Sequence, residues 1–292
     1  RLQSRALSSS LPQRRPVQHS CRVSGMVHYV IVEAVNGELE LSGVPPVYEV
    51  GELVPLARPE LEGVAPVLYC AEHPELQLPA LRERAESDLK SDLPPVVCAI
   101  VECGKATGRL QQHLADRLIL QAPTSGDAVF RYYDPRVFPH LSRILTAEQM
   151  GALLGPIKTW TYLDPIGGWT EVNGPTELEA AFSVTADQHA QVARIELVQR
   201  AIDVLRRNGT APRPDMPALL DVQLAKGEAY GLSGGNLIAF ALHGALVSPY
   251  FDRHPRVQAV LQAPRKGPYA EAVANWSAAD WQAIARESIQ YQ

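Results

Sequence analysis

Val96-Val97-Cys98-Ala99-Ile100-Val101 carries no polar residue over six positions, and this run constrains the fold more than any other stretch. Side chains alternate between the two faces of a strand, so a strand apolar throughout must be covered on both sides. The chain therefore needs a layered α/β arrangement around a central strand, with helices or a second lobe over each face. Leu110, Leu114 and Leu118 repeat every four residues and mark a helix immediately downstream, and the aromatic and β-branched run Val129 to Tyr133 favours another strand. Strand, helix and strand in that order predict a mixed sheet, with a parallel crossover as one way to connect it.

The segments on either side extend this reading. Val27 to Val32 reads as a strand, and Asn36-Gly37 followed by Glu38-Leu39-Glu40-Leu41 has the turn dipeptide and alternation of a hairpin. Prolines at 45, 46, 55, 59 and 66 leave room only for short extended pieces at Val47–Val50 and Val67–Cys70. Leu81, Ala85 and Leu89 predict a surface helix with one inward stripe. Asp134-Pro135 ends the aromatic strand and can open a helix, although Pro139 would remove a helical hydrogen bond and moves the start toward itself. Thr146 with Gln149 has capping-box spacing, Gly155-Pro156 stops the helix that follows, and Ile157–Leu163 turns at Gly167-Gly168 to return as Trp169–Val172.

An aromatic strand, Asp-Pro-Arg, a helix, then Ala-Leu-Leu-Gly-Pro and the Trp160-bearing strand resemble the domain of the type VI secretion adaptors. These are effector chaperones, often called Tap or TEC proteins, of the family catalogued as domain of unknown function 4123. The resemblance covers Val27 to Asp164 and extends more weakly beyond. It implies a cytoplasmic, non-enzymatic protein that holds a toxic effector and helps mount it on the VgrG spike. An apolar effector segment would be shielded on the helical lobe, and VgrG would meet another face.

After Asn173-Gly174-Pro175 strand signals vanish and caps recur: Thr176 with Glu179, Thr185 with Gln188, then the stripe Ile195, Val198, Ile202 and Leu205, which stops at Asn208-Gly209. Further helices are predicted over 219–230, 237–247, 256–261, 269–274 and 278–289. The expected organisation is thus an α/β (α+β) lobe over 27–172 and an all-α lobe over 173–292. Residues 1–26, with five arginines, six serines and no acid, read as a disordered tail or as an extension upstream of a start at Met26.

Chemistry is sparse. A net charge of −5 and a pI near 5.9 disfavour nucleic-acid binding, and no apolar run approaches the roughly 20 residues of a membrane-spanning helix. Cys21, Cys70, Cys98 and Cys103 have neither zinc-ribbon nor redox spacing and read as reduced and structural. The eight histidines form no ligand motif, Gly104 to Gly108 lacks the Walker spacing, and neither a metal nor a cofactor is expected. Gly231-Leu232-Ser233-Gly234-Gly235 matches the nucleophile elbow, with Asp252 and His254 following. A serine hydrolase centred on Ser233 is therefore the alternative function, although the helix predicted before it favours a cap. What remains is recognition. Arg131, Tyr133, Asp134, Arg136, Phe138, His140 and Trp160, with Tyr132 and Arg143 nearby, combine residue types enriched at interface hot spots and are the candidate partner-binding set.

Overall fold

The computed structural model describes residues 25–121, 127–175, 181–262 and 268–291. The tail up to residue 24, Cys21 and the Thr176–Glu179 capping box lie outside the described residues. Eight strands follow in chain order: β1 (Val27–Val32), β2 (Tyr48–Glu52), β3 (Val67–Ala71), β4 (Val97–Cys103), β5 (Ile119–Leu120), β6 (Ala128–Val129), β7 (Ile157–Asp164) and β8 (Gly168–Asn173). Helices α1 (Pro74–Lys90), α2 (Thr107–Asp116), α3 (Phe138–Ile144) and α4 (Ala147–Leu154) accompany them. Beyond β8 come α5 (Ala186–Arg207), α6 (Met216–Ala229), α7 (Gly234–Leu246), α8 (Pro255–Leu261), α9 (Tyr269–Val273) and α10 (Ala278–Glu287).

Six strands form one sheet in the order β2-β3-β1-β4-β7-β8. The α+β region followed by a helical region agrees with the sequence, but the sheet is not mixed: every ladder in it is antiparallel. No parallel crossover arises, because α2 leads into the two-residue strand β5 and not back into the sheet. The apolar run does occupy a central strand. Ala99, Val101 and Cys103 of β4 join Tyr29 and Ile31 in a core under α2, α3 and α4, whereas Val97 and Ile100 join Val30 and Val32 under Leu81 and Ala85 of α1. Both faces are covered, as a strand without polar positions requires.

Three local expectations change. No hairpin forms at Asn36-Gly37, since β1 is paired on one side with β3 and on the other with β4; residues 37–41 instead lie beside the sheet, with Leu39 and Leu41 packed on its α1 face. The aromatic stretch pairs as a strand only at β6, with β5. Phe130, Tyr132 and Tyr133 are all buried, and sinking two adjacent side chains into one core suits a turn better than a pleated strand. Helix α3 then starts at Phe138 with Pro139 in its first turn, where no backbone donor is lost. Finally, Leu89 does not complete the inward stripe of α1: it is 42% exposed.

Gly155 ends α4 with φ +56°, and a Cβ there would lie 2.1 Å from the His113 ring. That ring bonds the Leu153 carbonyl at 2.9 Å. Gly155→Ala is expected to cost about 2 kcal/mol by combining backbone strain with displacement of the imidazole; denaturant unfolding of the variant against the parent measures it, and equal midpoints would refute it.

Helix α5 ties the two regions together. Its Ile195 enters the sheet core, while Val198, Ala201, Ile202 and Leu205 pack with α6 and α7 in a second cluster. Two capping boxes interlock at the joint: Gln149 and Gln188 each cap their own helix, and each also donates its amide to the other's oxygen at 2.9 and 2.7 Å. On α6, Asp221 is buried and pairs with Arg194 of α5 at 2.9 Å and Arg143 of α3 at 3.5 Å.

Candidate functional site

The segment from Phe130 to Phe138 has an inner and an outer side. On the inner side an aromatic row runs Phe182, Phe130, Tyr132, Trp160, Phe138, Tyr162, with neighbouring ring centres 4.9–6.2 Å apart. Trp160 and Phe138 stack almost parallel, 9° between planes, and both belong to the sheet core. Tyr133 is buried as well, its hydroxyl donating to Glu33 Oε2 at 2.7 Å; burial and that carboxylate push its pKa up. His140 is buried too, with Nε2 2.6 Å from the Gln199 amide. Desolvation, aided by Arg143, lowers its pKa to about 4, so it is neutral at physiological pH. Five members of the candidate set therefore support the surface from beneath and do not face solvent: Tyr133, Asp134, Phe138, His140 and Trp160.

On the outer side stand Arg131 and Arg136, with side chains 44% and 43% exposed. Each is held over a buried carboxylate. Arg136 grips Asp134 through Nε at 3.0 Å and a terminal nitrogen at 2.7 Å, while the Arg136 backbone N–H donates to the same carboxylate at 2.9 Å. Arg131 reaches Glu33 at 2.9 Å and Asp134 at 3.6 Å. The order of the short turn, Arg-Tyr-Tyr-Asp-Pro-Arg, thus places acid and tyrosine inward and guanidinium outward.

This turn forms one wall of a cleft of about 670 Å³. The end of α1 and the Asp92–Pro95 loop make a second wall, and the Val192–Arg206 face of α5 makes a third. Leu89, Leu93 and Val129, which line it, are 42%, 57% and 50% exposed. Arg200 of α5 is exposed and makes no ion pair with any described residue. Sequence reading found the arginine wall and missed the others. The signal for the second was a leucine beyond the helix end, Leu93 before Pro94-Pro95; the third lay on the polar side of a stripe already recognised.

Cys70, Cys98 and Cys103 are buried, and burial with the Asp134 and Glu33 charges holds the Cys98 thiol protonated. Ser233 does precede a helix, but what comes before it is α6, ended at Gly231 with φ +75°, so no strand-to-helix elbow is formed. Asp252 is occupied by Lys226 and Tyr230, and the two ring nitrogens of His254 by Glu287 and the Arg256 N–H. The Ser, Asp, His order in the sequence therefore does not assemble a triad. Among the described residues no group of three or more His, Cys, Asp and Glu could hold a metal ion, and no helix is long and apolar enough to cross a membrane.

Residues 53–152 match the family model described as domain of unknown function (DUF4123). No curated protein and no solved structure matches the chain. The matched DUF4123 segment contains the α1-end and arginine walls of the cleft, and α5 lies beyond it.

Proposed function

We propose that this protein is a non-enzymatic adaptor of the type VI secretion kind, binding a cognate toxic effector in the cytoplasm and helping to load it onto the VgrG spike. The α/β region over 27–172 and the helical region over 173–292 are its two working parts. The observation that carries this reading is the cleft, where exposed leucine and valine side chains face arginines fixed over buried carboxylates. Apolar surface rimmed by oriented charge suits recognition of another protein. The partner classes are those implied by the resemblance of the Asp134-Pro135-Arg136 region to the effector chaperones; the DUF4123 match over 53–152 covers that region and names no partner.

Co-expression of the full chain with the effector and VgrG encoded beside it tests the proposal. Both are expected to be retained on affinity purification, and retention of neither would refute it. The same preparation separates the serine-hydrolase alternative: no ester hydrolysis is expected from the parent or from Ser233→Ala, and an activity that the parent has and Ser233→Ala lacks would decide for the enzyme.

A further inference from the structure

We infer that β8 is a dimerisation edge, and that two copies of this chain join β8 to β8 antiparallel about a two-fold axis, so that one sheet runs through both. The occupant of the edge is a second copy of the chain, and the inference stands apart from the adaptor reading.

The outer side of β8 is open. Gly174 donates to the Lys158 carbonyl at 2.8 Å, and bonding in an antiparallel ladder alternates residue by residue. The backbone groups of Thr170 and Val172 therefore face β7, and those of Trp169, Glu171 and Asn173 turn away from the sheet. No described residue bonds these outward N–H and C=O groups. Pairing with β7 runs unbroken from Gly168 to Asn173, with neither a bulge nor a proline. The opposite edge differs: β2 has a register shift between Glu49 and Gly51, and its Glu52 carbonyl accepts from the Gln111 amide at 3.1 Å. A regular edge without such protection is a template for pairing with another chain.

The side chains select a copy of the same strand. A two-fold axis at Thr170 sets Thr170 against Thr170, Val172 against Gly168, and Glu171 of each copy opposite Trp169 of the other. Trp169 packs on the α1 face of the sheet, and Glu171, two residues on, shares that face. Arg82 of α1 lies over the Trp169 ring, 5.1 Å from its centre; it is exposed and makes no ion pair with any described residue. Glu86, which accepts the Trp169 indole N–H at 2.9 Å, is matched by Lys90 at 3.6 Å. The uncompensated charge beside Trp169 is thus a cation. Glu171 is the one charged side chain of β8, exposed and without an ion pair to any described residue, and the axis delivers it to Arg82 twice. Shifting the axis to Glu171 would oppose two carboxylates, which destabilises a cross-strand pair. Shifting it to Val172 would set Pro175, which has no N–H, against Trp169. The pairing is isologous and closes at two copies.

Light scattering on the full chain tests the edge, and a cross-link tests the register. The parent is expected to have the mass of two chains. Glu171→Pro removes an N–H that faces outward, so the ladder with β7 keeps its bonds; this variant is expected to have the mass of one chain with the circular dichroism of the parent. Glu171→Arg, which sets two cations together, is expected to weaken the dimer at least tenfold. Opposed Thr170 residues form a non-hydrogen-bonded pair with Cα atoms about 4.5 Å apart, within reach of a disulfide. Thr170→Cys combined with Cys21→Ser is therefore expected to give a covalent dimer on oxidation, because Cys70, Cys98 and Cys103 are buried. A parent with the mass of one chain at every concentration, or Glu171→Pro that stayed dimeric, would overturn the edge assignment. A dimer that Glu171→Pro broke but that did not cross-link through position 170 would overturn the Thr170-centred register.

Discussion

Trp160→Ala is expected to cost about 3–5 kcal/mol of folding stability, the range for removing a large aromatic side chain from a close-packed core. Trp160 is fully buried, stacks on Phe138 at 4.9 Å and lies 5.9 Å from Tyr132. Alanine would leave a cavity between β7 and α3 that a packed row of rings cannot collapse to fill. Trp160→Phe separates packing from polarity. The indole N–H is buried with no acceptor among the described residues, so phenylalanine loses volume but also removes an unmet donor, and roughly 1 kcal/mol is expected. Chemical denaturation of the two variants gives both numbers. The same pair bears on recognition: because the side chain faces the core, Trp160→Phe should keep the affinity of the parent for the proposed effector. A variant that folded normally and failed to bind would return Trp160 to the contact surface.

What could be read from the sequence is what depends on neighbours within one turn or one strand. The Thr146–Gln149 and Thr185–Gln188 capping boxes form as their spacing predicts, and the Ile195, Val198, Ile202, Leu205 stripe is buried. The doubly covered strand at 97–103 follows from its lack of polar positions alone. What could not be read depends on pairings across long separations. Glu33 meets Tyr133 across 100 residues, and without that bond Tyr133 looks as suited to a hot spot as to a core. Phe138 and Trp160 raise the same ambiguity, since the aromatic types enriched at interfaces are also those that fill interiors. Composition marked a turn that lines the cleft, but it could not say which side of the turn faced water. The hairpin expectation failed for a related reason: Asn36-Gly37 permits a return strand, and the antiparallel ladders on both sides of β1 leave it no place.

Acid is expected to weaken the fold well before ordinary carboxylates titrate, and two histidines, His140 buried and His243 half-buried, set the window. His140 and His243 both have pKa values lowered to about 4, chiefly by burial, against roughly 6.5 in an unfolded chain. Between these values the unfolded state binds more protons, so stability is complete above about pH 6.5 and drains as pH falls toward 4. At pH 5 the loss is about 2 kcal/mol for His140 and about 1 kcal/mol for the less enclosed His243. Around His140, Arg143 opposes protonation while Asp164 and Asp221 favour it, with the Gln199 amide against the ring. His243 stacks on Trp281 at 4.1 Å and shares a hydrogen bond with the Tyr269 hydroxyl at 2.7 Å. Because His140 sits on α3 against α5 and His243 on α7 in the aromatic cluster of the helical region, protonation loosens both the joint between the regions and the far core. Urea unfolding at pH 7, 6 and 5 should give a falling midpoint, and His140→Gln, which keeps a polar group toward Gln199 but cannot charge, should flatten the slope between pH 5 and 6.5. An unchanged slope in that variant would remove His140 from the account and leave the acid sensitivity to His243 and to His113, whose pKa burial also lowers.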